Sequence, residues 1–245
     1  MSKVLTWSEP PESLSLATGE VHVWRVELEQ PEHLLEKYRE TLDEHELNRA
    51  RRFHFEKHRR CFVAGRGVLR QLLSQYLGAK PEEVELSYGA YGKPALGGEH
   101  EHSRLRFNMS HSHETALLAF AEDREIGVDV EHIRSDFASD EVARRFFSRR
   151  EVEAFNATPE QQQVTAFFKC WTRKEAFIKV IGLGLSQPLD KFDVTLEQPA
   201  ALLWVSGDDA SRWSLYDLDV GDGYAGALAV EGQVSSIRCW HMTSR

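Results

Sequence analysis

Residues 113–120 read HETALLAF, and residues 223–230 read GYAGALAV. Both are runs of small and apolar residues with the character of a buried strand, and each stands late in its half of a 245-residue chain. Read backwards from each, one order recurs. Ahead of the first lies a helical segment at 62–77, where Phe62, Leu69, Leu72, Leu73 and Tyr76 share a face and Gly78 supplies a stop. Ahead of the second lies a longer helix at about 160–181, stopped by Gly182 and Gly184. Short apolar runs broken by turns fill the rest: 84–86, 105–109 and 126–130 around the first strand, then 192–196, 202–205, 213–218 and 237–240 around the second. Residues 21–28 alternate like a strand, and Pro31 opens a charged helix carrying Leu34, Leu35, Tyr38 and Leu42. This order predicts two similar α+β halves packed together, as a duplication would leave them. A ligand cleft between the halves is expected, since pockets favour such interfaces. The first 20 residues are polar and contain prolines, and are expected to lie loosely against the body.

Composition narrows the field. The chain is 41% hydrophobic, 28% charged and 10% aromatic, and its 13 Phe and 6 Trp exclude disorder over most of the length. No apolar run approaches the ~18 residues of a membrane span, and the opening MSKVLTWSEPPES has no signal-peptide stretch. Three cysteines, Cys61, Cys170 and Cys239, are odd in number and far apart. A disulfide scaffold and a zinc ribbon are therefore disfavoured, and a reducing cytoplasm is expected. A net charge of −9 disfavours nucleic-acid binding, although a local basic patch can still bind one anion.

Three features carry chemistry. In 126–131, IGVDVE, strict alternation places Gly127, Asp129 and Glu131 on one strand face. Two neighbouring carboxylates repel unless water or a cation lies between them. The stretch reads either as a solvent-facing sheet edge or as a hard-cation site in which Gly127 leaves room for a ligand. In the long helix, Val164, Phe167, Phe168, Trp171 and Ile178 form an apolar stripe, and Glu175 falls inside it. A charge there is costly to desolvate, and an i,i+4 pair with Lys179 returns only a few tenths of a kcal/mol at a surface, so metal or catalytic use is favoured. The third is 107–113, FNMSHSH, a short strand entering an exposed Ser/His turn. Zinc lacks supporting ligands there, and no G-x-S-x-G elbow supports a Ser-His hydrolase. Hydroxyls and an imidazole facing a phosphate suit the turn better. Most of the basic stretch Arg49, Arg51, Arg52, Lys57, Arg59, Arg60 and Arg66 reads as a solvated helix face. Lys93 is fixed between Gly92 and Pro94, and such cations converging near His111 would bind a phosphate.

In order, FNMSHS at 107–112, GVDVE at 127–131 and FFKCWTRKEAFIKVIGLGL at 167–185 resemble the 4′-phosphopantetheinyl transferases, in particular their longer, surfactin-type branch. The W-x-x-K-E-x-x-x-K pattern is complete at Trp171, Lys174, Glu175 and Lys179. With Tyr91-Gly92-Lys93-Pro94 the resemblance covers roughly residues 50 to 195. It implies an α+β (α/β) fold of two pseudo-twofold halves, each a helix on a small, mostly antiparallel sheet. The halves are expected at 1–122 and 123–245, the second bearing the metal and catalytic carboxylates. It further implies transfer of the phosphopantetheine arm of coenzyme A to a serine of an apo acyl or peptidyl carrier protein, releasing adenosine 3′,5′-bisphosphate. Such carriers serve fatty-acid, polyketide or nonribosomal peptide synthesis. By family position Asp129, Glu131 and Glu175 hold Mg²⁺, with Mn²⁺ as a substitute. Glu175 is also the base, and Lys179 neutralises the phosphoryl group. Ser110, His111, Lys93 and Lys57 match phosphate contacts to coenzyme A, with Arg66 a looser match. Glu46 departs from relatives that carry a basic contact in that region. Arg144, Arg145, Arg149 and Arg150 are either docking spots for an acidic carrier or a solvated helix face. A cytoplasmic monomer that binds neither nucleic acid nor membrane is expected. Two other readings use the same residues: a Mg²⁺-dependent phosphohydrolase of coenzyme A or a nucleotide, and a non-catalytic protein that binds coenzyme A or a carrier.

Overall fold

A computed structural model describes residues 5–182, 184 and 188–242; Leu183 and Leu185 of the quoted motif lie outside them. In chain order the elements are β1 (Trp7–Ser8), β2 (Glu20–Glu27), α1 (Glu32–Thr41), α2 (Glu44–Arg51), α3 (Glu56–Leu77), β3 (Leu86–Tyr88), β4 (Pro94–Leu96), β5 (Leu105–Ser112) and β6 (Thr115–Glu122). They continue with β7 (Ile126–His132), α4 (Asp140–Phe146), α5 (Arg149–Ala157), α6 (Glu160–Ile181), β8 (Phe192–Val194), β9 (Leu202–Val205), β10 (Trp213–Leu218), β11 (Tyr224–Glu231) and β12 (Ser236–Met242). From β2 to β6 and from β7 to β11 the order is the same: one strand, three helices, a short hairpin and two long strands.

The match extends to chemistry. Helices α3 and α6 both run 22 residues and both end on a left-handed glycine, Gly78 at φ 68° and Gly182 at φ 69°. That backbone suits glycine, which has no Cβ to clash. At the same offset from its helix start, each carries a buried cation: Arg70 Nε on Glu46 Oε2 at 2.6 Å, and Lys174 Nζ on Glu151 Oε2 at 2.6 Å. Each acceptor is the third residue of a capping box, with Asp43 and Ser148 as the caps. Glu46 therefore braces the fold, a role that accounts for a carboxylate at this position.

The long helices lie outside and the sheets inside. Even-numbered β2 residues such as Trp24 and Val26 join the α3 core with Phe107, Leu118 and Phe120. Odd-numbered Val21 and Val23 meet Leu117, Val128, Val130 and Leu228 in a second core between the sheets. A third core joins α6 to Ala225, Ala227 and Ala229 of β11. The layers are thus helix, sheet, sheet, helix, and β6 and β11 are buried on both faces, which is why their sequences are apolar between their ends.

The sheets have orders β1-β12-β2-β6-β5 and β10-β11-β7. β12, from the end of the described chain, pairs in parallel with β2 and so lies in the first sheet. Contrary to expectation, part of the opening stretch is also tied down. Trp7 and Ser8 pair with Cys239 and Trp240, and the Trp7 indole donates to the Asp219 carbonyl. The outer edge of β12 supplies unpaired backbone groups, and β1 satisfies them. Two further boundaries move. The helix expected at 62–77 begins at Glu56, its first turn being charged and invisible to apolar periodicity. The strand expected at 84–86 starts at Leu86, after a turn that buries Val84.

Candidate active site

The two sheets meet edge to edge at β5 and β7, and this seam floors the cleft. An edge strand has backbone N–H groups to satisfy, and β5 side chains do it. The Val128 N–H donates to Asn108 Oδ1 at 2.9 Å, and the His132 N–H donates to Ser112 Oγ at 3.0 Å. On the same face of β7 stand Gly127, Asp129 and Glu131. Here one expectation is corrected. A Cβ on Gly127 would come within 2.2 Å of the Ala176 carbonyl oxygen and 2.6 Å of the Val180 nitrogen. The glycine makes room for helix α6, not for a ligand, and the close approach brings Glu175 and Lys179 to the carboxylate row.

Lys179 Nζ lies 2.7 Å from Asp129 Oδ1, 2.7 Å from Ser110 Oγ and 3.2 Å from the Val128 carbonyl. Ser110 donates to Asp129 Oδ1 at 2.8 Å, and Ser112 donates to Glu131 Oε2 at 2.8 Å. Asp129 is buried, and its Oδ2 finds no hydrogen-bond partner among the described residues. Burial, with the charge of Asp129 and to a lesser degree Glu131, pushes Glu175 up to about 7 against the pull of Lys179. Burial and then Asp129 likewise raise Glu131. The three carboxylates therefore share one field. Among the described residues no three His, Cys, Asp or Glu side chains stand in a metal-holding arrangement. Lys179 engages Asp129 Oδ1, and Ser112 engages Glu131 Oε2. The free Asp129 Oδ2 and an all-oxygen donor set nonetheless fit a hard divalent cation.

A cavity of about 410 Å³ opens beside this row, lined by Tyr91, Lys93, Asn108, Met109, Glu175 and Lys179. Lys93 Nζ reaches Glu125 Oε2 at 3.1 Å and the carbonyls of Ile126 and Val180 at 3.4 Å, so it also ties the turn to the second half. His111 is on the opposite face of β5, towards α3. Crowding by protein, then the charges of Lys179, Arg66 and Arg49, hold its imidazole below the ordinary value although the ring reaches solvent. Arg66 is nearly buried, its guanidinium 5.6 Å from the Phe62 ring and 5.7 Å from that of Tyr88, and its Nη1 finds no partner among the described residues. Lys57 stands apart, exposed on the first turn of α3 and held by Glu114 at 2.5 Å.

The long motif divides in two. Trp171 packs against Phe137, Phe146 and Phe167, and Lys174 is buried on Glu151 and the Phe192 carbonyl, so both serve the fold. Glu175 and Lys179 face the cleft. The exposed arginines of α4 and α5 are partly committed, Arg144 to Asp140 at 2.7 Å and Arg149 to Glu153 at 3.0 Å. Asn108 and Ser112 were missed as site residues. Strand alternation from Ser110 places both on its face, and that signal was sufficient to find them. Arg49 is exposed, as a solvated helix face requires, and its guanidinium also lies 5.3 Å from the Phe62 ring.

Fold and site together define a two-half α+β protein that gathers carboxylates and lysines at the seam between its halves. Residues 24–123 match the family description "4′-phosphopantetheinyl transferase, N-terminal", and residues 125–229 match "4′-phosphopantetheinyl transferase superfamily". The 4′-phosphopantetheinyl transferase HetI of a Nostoc species is 41% identical over 96% of this chain and 98% of its own. The 4′-phosphopantetheinyl transferase Sfp of Bacillus subtilis is 30% identical over 79% of this chain and 84% of its own. The human L-aminoadipate-semialdehyde dehydrogenase-phosphopantetheinyl transferase is 24% identical over 78% and 67%. The chain belongs to the 4′-phosphopantetheinyl transferase superfamily and is an enzyme of that class.

Proposed function

We propose that this enzyme moves the phosphopantetheine arm of coenzyme A onto a serine of an apo acyl or peptidyl carrier protein with the help of Mg²⁺. The observation that carries the reading is the cluster of Asp129, Lys179 and Ser110 beside a Glu175 whose carboxyl is pushed up to about 7. Asp129, Glu131 and Glu175 would hold the cation, for which Mn²⁺ is the natural substitute. When bound, it supplies charge neutralisation on the pyrophosphate. Glu175 takes the serine proton, and a carboxyl titrating near neutral pH suits that task. The serine oxygen then forms a bond to the phosphorus bearing the pantetheine, and the bond from that phosphorus to the adenosine bisphosphate oxygen breaks. Lys179 neutralises charge on the phosphoryl oxygens as this occurs. His111 and Arg66 hold the 3′-phosphate, Ser110 and Lys93 the rest of the nucleotide, and Lys57 contributes at the rim. The enzyme would work as a cytoplasmic monomer; its three cysteines, all free and buried, accord with the reducing compartment alone. No helix among the described residues is long and apolar enough to cross a membrane.

Intact-mass analysis tests the reading. An apo carrier incubated with the chain, coenzyme A and Mg²⁺ should gain one phosphopantetheine on one serine. Full activity in excess chelator would remove the metal from the account. Release of pantetheine phosphate without carrier modification would replace the transferase by a phosphohydrolase.

A further inference from the structure

At the far end of the carboxylate row, three rings close the seam between the halves. His113 of the β5–β6 turn stacks on His132 at the end of β7, with ring centroids 4.3 Å apart and an interplanar angle of 29°. Tyr224, opening β11, meets His132 edge-on at 5.1 Å. His113 is exposed and holds φ at 51°, a left-handed backbone uncommon outside glycine. His132 Nδ1 is buried without a hydrogen-bond partner among the described residues. A buried ring nitrogen is costly to leave unmatched, so the atom is available to a partner that completes the site. None of these rings is used by the chemistry described above.

Their position gives them a task, granted the transferase reading on which this inference rests. An in-line displacement needs the attacking oxygen opposite the leaving one. The cavity suited to the leaving nucleotide is bordered by Lys93, whose ammonium touches the carbonyl of Ile126, the first residue of β7. Asp129 and Glu131 follow, and His132 ends the strand. The serine would then arrive from the His132 end, past Glu131, while His111 holds the 3′-phosphate from the other face of β5. The geometry points to the His113–His132–Tyr224 stack as the acceptor wall, which receives the serine-bearing segment of the carrier protein. His132 Nδ1 would pair with a polar group of that segment, and the open face of His113 would pack against it.

Steady-state kinetics with apo carrier varied at saturating coenzyme A and Mg²⁺, and then with the roles reversed, test this. His113→Gly removes the ring where glycine is at ease, so the variant keeps its fold. His132→Phe keeps a ring and removes the nitrogen, whereas His132→Asn keeps a polar atom near Nδ1. His113→Gly and His132→Phe should raise KM for the carrier by roughly five- to tenfold, the scale of one lost contact, and leave KM for coenzyme A unchanged. His132→Asn should recover most of the loss. Unchanged carrier KM, an equal rise in both KM values, or equal losses in Asn and Phe would each overturn the assignment. A wild type that modifies no carrier would overturn the transferase reading itself, whereas normal wild-type kinetics with indifferent variants would overturn the wall alone.

Discussion

Glu175 is where folding and chemistry conflict most directly. Its carboxyl is held at about 7 against an ordinary 4.5. The folded chain therefore retains, between those values, a proton that the unfolded chain has released, and stability is lost as pH rises through that window. Glu175→Gln removes the cost. With chelator present, the variant should melt a few degrees above the wild type at pH 8, and the gap should close near pH 4.5. The gain is at most about 3 kcal/mol. Turnover should fall by about 10² or more. Lower stability with near-normal turnover would make Glu175 structural. His111 offers a second residue-level test. If it binds the 3′-phosphate, remote from the bond that breaks, its energy is felt equally in ground and transition states. His111→Ala should then raise KM for coenzyme A by roughly ten- to hundredfold and leave kcat nearly untouched. Dephospho-coenzyme A should be indifferent to the change, so equal losses with both substrates would return His111 to structure.

At the scale of elements, the register between β7 and α6 decides whether the site exists. Gly127→Ala forces a methyl into the Ala176 carbonyl, and backbone on both sides leaves little room to yield. A loss of about 1–3 kcal/mol is expected, the usual cost of overpacking, with a disproportionate fall in kcat as Glu175 and Lys179 move off the carboxylate row. Thermal melts and kinetics on one preparation check both. The buried pair behind α6 behaves differently. Lys174→Met leaves Glu151 charged and sealed from water, at a cost of about 3–5 kcal/mol, and adding Glu151→Leu should recover much of it. Equal stability for the single and double variants would show that the pair is not coupled. Apolar periodicity made α6 legible from end to end, and strand alternation placed Asp129 and Glu131 on one face. Neither reveals which face meets a helix, so Gly127 was read as ligand space.

The whole molecule is held by pairings that cross the division between halves. β12 comes from the second half and lies beside β2, and a fully buried core that includes Leu117 and Val128 joins the sheets. A fragment of residues 1–122 alone would lack β12 and expose the inner face of its sheet. It should show no cooperative unfolding transition by circular dichroism, and mixing with residues 123–245 should restore one. A cooperative transition in the isolated fragment would mean that each half folds on its own.

The repeated order of elements, the long helix at 160–181 and the grouping of Asp129 with Glu131 are legible along the chain. Each of these depends on local period, glycine stops and alternation, which act over a few residues. Tertiary structure alone decided the rest. It tied Trp7 to β12, buried Glu46 under Arg70, assigned Lys174 to the fold and Lys179 to Asp129, and stacked His113 on His132. Each of those partners is far away in the chain, and whether a charge binds a ligand or braces a core depends on what burial leaves for it to pair with.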